Sequence, residues 1–210
     1  MIRILLAEDH LLVRDSLVRL LERQDDFQIV GEATTGPETV AVANGTEVDI
    51  VLLDVEMPGR GGLETLEELK RSKSSPKVVM LTARAEDEYA VRCMKAGADG
   101  YVTKDRAIED LHQAVRKVAG GGKFFSAELA ERIAMSFDPG SDQPAHARLS
   151  NRELEIMCRI ARGERLSEIA EALSLSPKTI SSYRRQILTK TGLRNTNDLM
   201  RYAHEQRLVT

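Results

Sequence analysis

The chain has 210 residues, of which 42% are hydrophobic and 30% charged, a composition that favours one or two globular domains over a disordered or fibrous protein. Its two cysteines, Cys93 and Cys158, are too few and too far apart for a disulfide scaffold or a cysteine-based metal site. No apolar run approaches the length of a membrane-spanning helix and the first residues lack the pattern of a secretory signal, so we expect a soluble cytoplasmic protein with no membrane partner.

The formal net charge of -3 is distributed unevenly along the chain. Residues 1–120 carry a net charge of -6, whereas residues 149–210 carry +4. This asymmetry predicts an acidic module joined to one that can meet nucleic acid. Charge alone leaves a surface distribution without functional meaning equally open.

The first 120 residues alternate between strand and helix patterns. Strands are predicted at Ile2–Ala7, Phe27–Ala33, Ile50–Asp54, Lys77–Thr82 and Gly100–Thr103, and helices at roughly 11–24, 36–43, 62–71, 87–96 and 108–119. In the first helix, the apolar spacing that runs from Leu11 and Leu12 to Leu21 predicts a packed face. Five such strand–helix units predict a mainly parallel sheet with helices on both faces.

Turn-forming residues then separate this region from the rest of the chain. Three consecutive glycines at 120–122 end the last helix, and a short amphipathic helix fits Ala127–Met135. The stretch Asp138–Pro144 has the composition of a flexible linker. We therefore expect residues 121–148 to form a linker that contains one short helix.

From Leu149 onward the pattern is entirely helical. Ser150 and Glu153 have the spacing of a capping box at the start of the first of these helices. Further helices are predicted at Leu166–Leu173, from Ser176-Pro177 to Gly192, and at Asn197–Glu205. The second and third of the four helices, with the short turn between them, have the layout of a helix-turn-helix.

Polar side chains follow several predicted strands, at the edge where a parallel sheet places its reactive groups. Asp54 ends the third strand, Glu8 and Asp9 follow the first, and Thr82 and Lys104 belong to the ends of the fourth and fifth. Clustered carboxylates favour a cation, and their oxygens suit Mg²⁺. With Mg²⁺ bound, Asp54 can act as a nucleophile and form an aspartyl phosphate, with Lys104 beside a phosphoryl oxygen and the Thr82 hydroxyl donating to another. Each residue alone has an ordinary structural explanation; the combination is what points to this chemistry.

This ordered set of motifs resembles the receiver domain of two-component response regulators. The resemblance rests on Glu8-Asp9, Asp54 followed by Met57-Pro58-Gly59, Thr82-Ala83, and Tyr101 shortly before Lys104. It covers roughly residues 1–120 and implies an α/β, flavodoxin-like fold with a five-stranded parallel sheet and a phosphoryl-accepting Asp54.

The same resemblance implies further roles for residues around Asp54. Mg²⁺ is expected to be held by Asp9, Asp54 and the backbone carbonyl of Glu56, with Glu8 assisting. Thr82 and Tyr101 are expected to form a switch pair, in which Tyr101 rotates inward after phosphorylation and reshapes the surface of the fourth and fifth helices.

The third helix of the C-terminal region carries the candidate DNA contacts. Ile180, Tyr183 and Ile187 are spaced to face the core. The remaining polar and basic positions are predicted to meet bases or phosphates in a major groove: Lys178, Thr179, Ser181, Ser182, Arg184, Arg185 and Lys190. A merely solvated helix face is the alternative.

Residues 149–153, 169–170 and 176–180 resemble the LuxR-type DNA-binding domain, so the whole chain resembles response regulators of the NarL/FixJ family, closest to the RcsB and GacA/UvrY branches. Many members have Lys and His where this chain has Ser181 and Tyr183, which leaves the base contacts open. The resemblance implies a sensor histidine kinase and double-stranded promoter DNA as partners, and a homodimer on phosphorylation or DNA. The last helix is expected to form the dimer interface through Leu199, Met200, Tyr202 and Ala203.

These observations favour a phosphorylation-controlled transcriptional regulator that is not an enzyme. A phosphatase or phosphotransferase with Asp54 as nucleophile is the enzymatic alternative, but enzymes of the haloacid-dehalogenase type place a second Asp where this chain has Glu56. A DNA-binding protein that ignores phosphorylation is the third hypothesis. Whether the first module inhibits the second or drives dimerisation stays open.

Overall fold

The computed structural model describes residues 1–58, 61–72, 75–83, 88–105, 107–135, 144–206 and 208–209. The chain divides into two compact units, Met1–Ser136 and Phe137–Thr210. The division falls within the predicted linker, most of whose Asp138–Pro144 stretch lies outside the described residues, as does Gly59 of the Met57-Pro58-Gly59 motif. The short helix that the sequence predicts in the linker belongs to the first unit.

The first unit contains the five predicted strands and the helices between and after them. The strands are β1 (Ile2–Ala7), β2 (Phe27–Ala33), β3 (Ile50–Asp54), β4 (Lys77–Thr82) and β5 (Gly100–Thr103). The helices are α1 (Leu11–Leu21), α2 (Gly36–Gly45), α3 (Gly62–Arg71), α4 (Glu88–Lys95), α5 (Ala107–Ala119) and α6 (Ala127–Met135). The predicted α/β fold class is confirmed.

The sheet has the strand order β2-β1-β3-β4-β5, and all neighbouring strands are parallel. Every residue of the central strand β3 is buried, as expected for a strand with helices packed on both faces. The register pairs Ala7 with Leu53, Asp54 with Leu81, and Thr82 with Thr103. The carboxyl ends of four strands are therefore level at one edge of the sheet, beside the point where the strand order reverses between β1 and β3.

The packed face of α1 is narrower than the sequence predicts. Leu17 and Leu21 are buried, but Leu11 and Leu12 in the first turn are 59% and 80% exposed. The prediction of a continuous apolar face from Leu11 was therefore wrong at its beginning. Only one side of a helix can contact the sheet, and the first-turn leucines lie on the other side.

The start of α3 lies directly against the end of β3. A Cβ atom added to Gly62 would overlap the backbone oxygen of Asp54 and would lie 2.8 Å from Cα of Val55. The Gly62 amide donates to the Val55 carbonyl at 3.1 Å, which fixes this approach. Glycine is thus required at this position for the loop after Asp54 to turn as tightly as it does.

The second unit is helical in its described residues. It contains a 3₁₀ helix (Ala145–Arg148) followed by α7 (Asn151–Ala161), α8 (Leu166–Ala172), α9 (Pro177–Thr191) and α10 (Thr196–Glu205). Both halves of the predicted capping box form, since the Ser150 hydroxyl accepts from the Glu153 amide and the Glu153 carboxylate accepts from the Ser150 amide. Gly192 ends α9 in the left-handed conformation, with φ of 74°. Among the described residues, no helix combines the length and the apolar composition needed to cross a bilayer.

The apolar residues of α10 serve the core of the second unit. Leu199 and Ala203 are fully buried, and α10 packs against α7. The Tyr202 hydroxyl lies 2.9 Å from Nδ1 of the buried His146 in the 3₁₀ helix. The expectation that Leu199 and Ala203 supply an interface was therefore wrong, because a unit this small needs its apolar side chains for its own core.

Candidate phosphoacceptor pocket and nucleic-acid interface

Asp54 lies at the carboxyl end of β3 and is only 1% exposed. Its Oδ1 accepts a hydrogen bond of 3.2 Å from the Glu56 amide, which orients the carboxylate in the loop after the strand. The preceding strand residues are wholly apolar and buried, so the carboxylate is a charge at the end of a dry strand. Such a group requires a cationic partner nearby.

Lys104 supplies that cation from the end of β5. Its Nζ lies 2.9 Å from Oδ2 of Asp54 and 2.7 Å from Oε2 of Glu8, both ion-pair distances. Lys104 reaches this place because its amide donates to the carbonyl of Thr82 at 2.6 Å, which continues the pairing of β4 with β5 beyond the strands. Two carboxylates that are fully buried, or nearly so, thus share one ammonium.

Burial controls the ionisation of the pair. Burial raises the pKa of Asp54 to about 6, although the neighbouring ammonium of Lys104 opposes the shift. For Lys104, burial disfavours the charged form, but the carboxylates of Asp54 and Glu8 outweigh it and hold the pKa above its ordinary value. At neutral pH the pocket therefore contains ionised Asp54 beside a firmly protonated Lys104.

The acidic side chains form a donor set suited to a hard cation. Glu8, Asp9, His10 and Asp54 each offer an atom that can bind a metal ion, and these atoms all lie within 4.8 Å of one another. Three of the four are carboxylate oxygens, the ligands that Mg²⁺ prefers, and Asp9 is partly exposed, which leaves a side open to water. The residues therefore fit the Mg²⁺ expected from the sequence.

Thr82 and Tyr101, the predicted switch pair, are both buried, at 0% and 2% exposure. Thr82 ends β4, one strand away from Asp54 in the sheet. Tyr101 lies in β5 paired with Met80, so it is on the strand that also leads to Lys104. In this structure the Tyr101 side chain is already inside the protein.

The structure separates the predicted DNA-contacting residues of α9 into two groups. Lys178, Ser182 and Arg185 are exposed and follow one another at intervals of four and three residues, so they form one stripe along the helix. The exposed Thr189 extends the same stripe by one more turn and was not predicted. This stripe lies away from the side that carries the buried Ile180 and Ile187.

The other predicted contacts lie beside or away from the stripe. Thr179, Ser181 and Arg184 are half-buried, as is Tyr183, which the sequence placed in the core. The Thr179 amide donates to the Ser176 hydroxyl at 3.1 Å, an N-cap of α9. Lys190 Nζ lies 2.7 Å from the carboxylate of Glu153, whose side chain is 3% exposed. Although Lys190 is exposed, it therefore has a structural partner in the first turn of α7.

His10 borders the acidic pocket, a position that was not predicted from the sequence. Its Nδ1 lies 2.9 Å from Oδ1 of Asp9 and 3.3 Å from Oε1 of Glu8, and its amide donates to Glu8 as α1 begins. The signal was present in the sequence, because His10 directly follows the two acidic residues. Its side chain is 69% exposed, so it lies at the mouth of the pocket.

Two family models match the chain. The model of the response regulator receiver domain matches residues 4–116, and the model of the LuxR family of bacterial regulatory proteins matches residues 147–203. The first match contains the acidic pocket and the second contains α8 and α9.

Full-length relatives have the same two parts. Response regulator UvrY of Escherichia coli (strain K12) is 38% identical over 204 residues, which cover 97% of this chain and 94% of that protein. Response regulator GacA of Pseudomonas protegens is 40% identical over 200 residues, covering 95% and 93%. Among solved structures, RcsB from Salmonella enterica serovar Typhimurium, bound to promoter P1flhDC in the presence of the phosphomimetic BeF3-, superposes with a TM-score of 0.59 at 26% identity, over 96% of this chain and 97% of that one.

The family model of the receiver matches more than half of the chain, and both relatives align along nearly all of it. The members of this family regulate transcription by binding DNA and are not enzymes. The chain therefore belongs to the two-component response regulators that join a receiver domain to a LuxR-type DNA-binding domain.

Proposed function

We propose that Asp54 accepts a phosphoryl group and that this event controls DNA binding by α9. The observation that carries the proposal is the placement of Asp54, which is almost fully buried and lies 2.9 Å from the ammonium of Lys104. A pKa of about 6 is consistent with an ionised carboxylate at neutral pH. Such a carboxylate is a nucleophile with a fixed cation at hand for the arriving phosphoryl oxygens. In this proposal residues 1–120 form the receiver, 149–210 the DNA-binding domain, and 121–148 the connection.

The transfer step uses groups that are already in position. A carboxylate oxygen of Asp54 attacks phosphorus, the bond from phosphorus to the donor breaks, and the donor leaves with the electron pair. Lys104 stays protonated. As negative charge is transferred to the phosphoryl oxygens, its ammonium exchanges contacts with the carboxylates for contacts with those oxygens. The Thr82 hydroxyl then donates a hydrogen bond to a phosphoryl oxygen, and this draws the end of β4 toward Asp54. The side chain of Tyr101, on the neighbouring strand β5, changes its position as a consequence.

Mg²⁺ would be held by Asp9, Asp54 and the backbone carbonyl of Glu56, with Glu8 assisting. When bound, the ion neutralises charge on the phosphoryl oxygens. The carboxylate cluster described above supports this assignment, since one lysine cannot balance three acidic side chains.

The proposed partners follow from the two parts of the chain. A sensor histidine kinase supplies the phosphoryl group, and a small acyl phosphate can replace it. The stripe of Lys178, Ser182 and Arg185 enters the major groove of double-stranded DNA, while Thr179, Ser181, Arg184 and Lys190 flank it. The promoter-bound RcsB structure with a phosphomimetic supports this arrangement. A cytoplasmic location, with access to DNA, is part of the proposal. A homodimer on two half-sites is proposed, with an interface other than Leu199 and Ala203.

The test is DNA binding before and after treatment with Mg²⁺ and a small phosphodonor, on wild type and Asp54→Asn, with DNA selected from random sequence. Intact-mass measurement on the same samples counts phosphoryl groups. We expect one group on wild type and none on Asp54→Asn, with tighter DNA binding only for wild type. Equal tightening in both proteins would refute the proposal, as would a phosphorylated wild type whose affinity for DNA does not change.

A further inference from the structure

The chain after α5 returns to the sheet and pairs with the outer side of β5. Phe124 forms a parallel bridge with Gly100. The Tyr101 amide donates to the Phe124 carbonyl at 2.8 Å, and the Phe124 amide donates to the Asp99 carbonyl at 3.0 Å. A Cβ on Gly100 would lie 3.2 Å from the Phe124 oxygen, so glycine permits this close approach. The edge of the sheet beside β5 is thereby closed by a segment outside the five strands.

The same segment continues into α6, which packs on α4. A helix on a sheet normally buries one side, but α4 is buried on two. Tyr89 and Cys93 lie one turn apart on one side, and Val91, about 200° further round the helix from Tyr89, is nevertheless buried. Leu129 of α6 is fully buried as well. We call residues Lys123–Met135 the cover.

An ion pair fixes the beginning of the cover. Lys123 Nζ lies 2.9 Å from Oδ1 of Asp99 and 3.0 Å from the Ala98 carbonyl. Lys70 from α3 and the Val78 amide bind the other carboxylate oxygen at 2.6 and 2.9 Å. Burial alone would raise the pKa of Asp99, but the hydrogen bonds from Lys70 and Lys123 outweigh it and hold the pKa below its ordinary value. Asp99 is therefore ionised at neutral pH and available to hold Lys123.

The cover also contacts the predicted switch residue. A small cavity is lined by Tyr101 together with Asp110 and the cover residues Phe124, Phe125 and Ser126. Ser126 begins α6, since its hydroxyl accepts from the Leu129 amide at 3.0 Å. A movement of the Tyr101 side chain therefore changes a wall of this cavity. The same residue donates the backbone hydrogen bond that holds Phe124, so a shift of β5 at Tyr101 acts on the cover directly.

We infer that the cover is a displaceable element of the receiver, and that phosphorylation of Asp54 weakens its attachment to β5 and α4 through Tyr101. The inference rests on the proposed phosphorylation of Asp54. In the unphosphorylated protein the cover itself occupies this surface of β5 and α4. Its release exposes the second side of α4 and adds the cover's residues to the connection before the DNA-binding domain, which widens the reach of that domain.

The first test is hydrogen exchange measured by mass spectrometry on the full chain, with and without Mg²⁺ and a small phosphodonor. We expect amides of residues 123–135 to exchange at least roughly threefold faster in phosphorylated wild type, with β1 and β3 unchanged, and no change in Asp54→Asn. Intact mass on the same samples separates the possible failures. A phosphorylated wild type with unchanged exchange in the cover overturns this inference alone, whereas the absence of a phosphoryl group overturns the proposed function and the inference with it.

The second test needs no phosphorylation and uses a matched pair of lysines around Asp99. Lys123 belongs to the cover and Lys77 to β4; their side chains are 49% and 47% exposed, and Lys77 Nζ lies 3.9 Å from the same carboxylate oxygen. We expect Lys123→Ala to accelerate exchange in residues 123–135 by roughly three- to tenfold, because it removes the two hydrogen bonds of a partly exposed ammonium. Lys77→Ala should leave it unchanged. Equal acceleration in both variants would overturn the inference, because it would assign the effect to charge at Asp99 and not to attachment of the cover.

Discussion

The ammonium of Lys104 lies 2.9 Å from Oδ2 of Asp54, at the end of a strand from which water is excluded. Lys104 also lies 2.7 Å from Glu8, so one positive charge serves two buried negative ones. This imbalance would favour a divalent cation in the pocket, and a phosphoryl group on Asp54 would redistribute the contacts of Lys104. The charge of the lysine and that of a bound cation act on the same carboxylates and therefore oppose each other.

Replacing Lys104 with methionine should separate cation binding from phosphoryl transfer. The substitution removes a charge that repels Mg²⁺, so we expect affinity for Mg²⁺ to rise by roughly tenfold, about 1.4 kcal/mol. Phosphorylation by a small phosphodonor should become slower, because the phosphoryl oxygens lose their cation. Isothermal titration calorimetry measures the first effect, and Lys77→Met, which changes the charge far from the pocket, is the control. Weaker Mg²⁺ binding in Lys104→Met would contradict this account of the pocket.

The pKa of Asp54 predicts a pH dependence of stability in the presence of a chelator. Burial raises this pKa to about 6 from an ordinary value of 3.8. Between about pH 4 and pH 6 the folded protein therefore binds more protons than the unfolded chain, and the contribution of Asp54 to the free energy of unfolding falls as pH rises. Asp54→Asn has no carboxylate to ionise, so its free energy of unfolding should not fall in this way. The variant should be more stable than wild type by about 1–3 kcal/mol at pH 7.5, with little difference near pH 4. Urea unfolding at the two pH values measures the difference; an Asn variant less stable at pH 7.5 would show that Asp54 is not under strain from burial.

Asp99 should behave in the opposite way. Burial raises the pKa of Asp99, but the lysines around it outweigh burial and hold the pKa below its ordinary value. The ionised carboxylate therefore stabilises the folded state at any pH above the ordinary pKa, and this stabilisation is lost as the pH falls toward the lowered pKa. Asp99→Asn should therefore destabilise the first unit at neutral pH and converge with wild type in acid. The same unfolding series tests both variants, and parallel pH profiles for the two would contradict the assignment.

Local pattern was sufficient to predict the fold because each element carries its own signal. β3 is an uninterrupted apolar run, and Ser150, Ser176 and Gly192 mark helix ends through contacts within a few residues. The acidic pocket was predicted for a related reason, since parallel strands place their carboxyl ends together whatever the details of packing.

The sequence did not predict which partners distant residues choose. Lys190 pairs with Glu153, which is 37 positions away, and Lys123 pairs with Asp99, 24 positions away. Periodicity also could not show which side of α10 packs against the other helices of the second unit. Leu199 was therefore assigned to a dimer interface, although it is buried in the core of that unit. Such choices depend on tertiary packing, which decides which of several apolar or charged sides faces inward.

The approach of α3 to β3 predicts a strong effect of one methyl group. Gly62→Ala would place a Cβ atom on the backbone oxygen of Asp54, so the loop after β3 must move. We expect phosphorylation to slow by roughly tenfold or more, as small misplacements of a reacting group cost such factors. Gly45→Ala is the matched control, because nothing lies within 4 Å of the added carbon at the end of α2. Equal phosphorylation rates in the two variants would show that the carboxylate tolerates a displaced loop.

Lys178 and Lys190 should differ in what they contribute, although both were predicted to meet DNA. Lys190→Ala leaves the Glu153 carboxylate, 3% exposed, without the ammonium 2.7 Å away, and should lower the free energy of unfolding of the second unit by about 1–2 kcal/mol. Lys178→Ala removes an exposed cation from the outer stripe of α9 and should change stability by less than about 0.5 kcal/mol. Its effect should be on DNA binding. We expect the affinity to fall by a similar factor for all DNA sequences, and the slope of log affinity against log salt concentration to become shallower by about one. Urea unfolding and DNA titrations over a range of salt concentrations measure both quantities on both variants. If Lys190→Ala reduced the salt slope and left stability unchanged, Lys190 would be a phosphate contact and its pairing with Glu153 would be incidental.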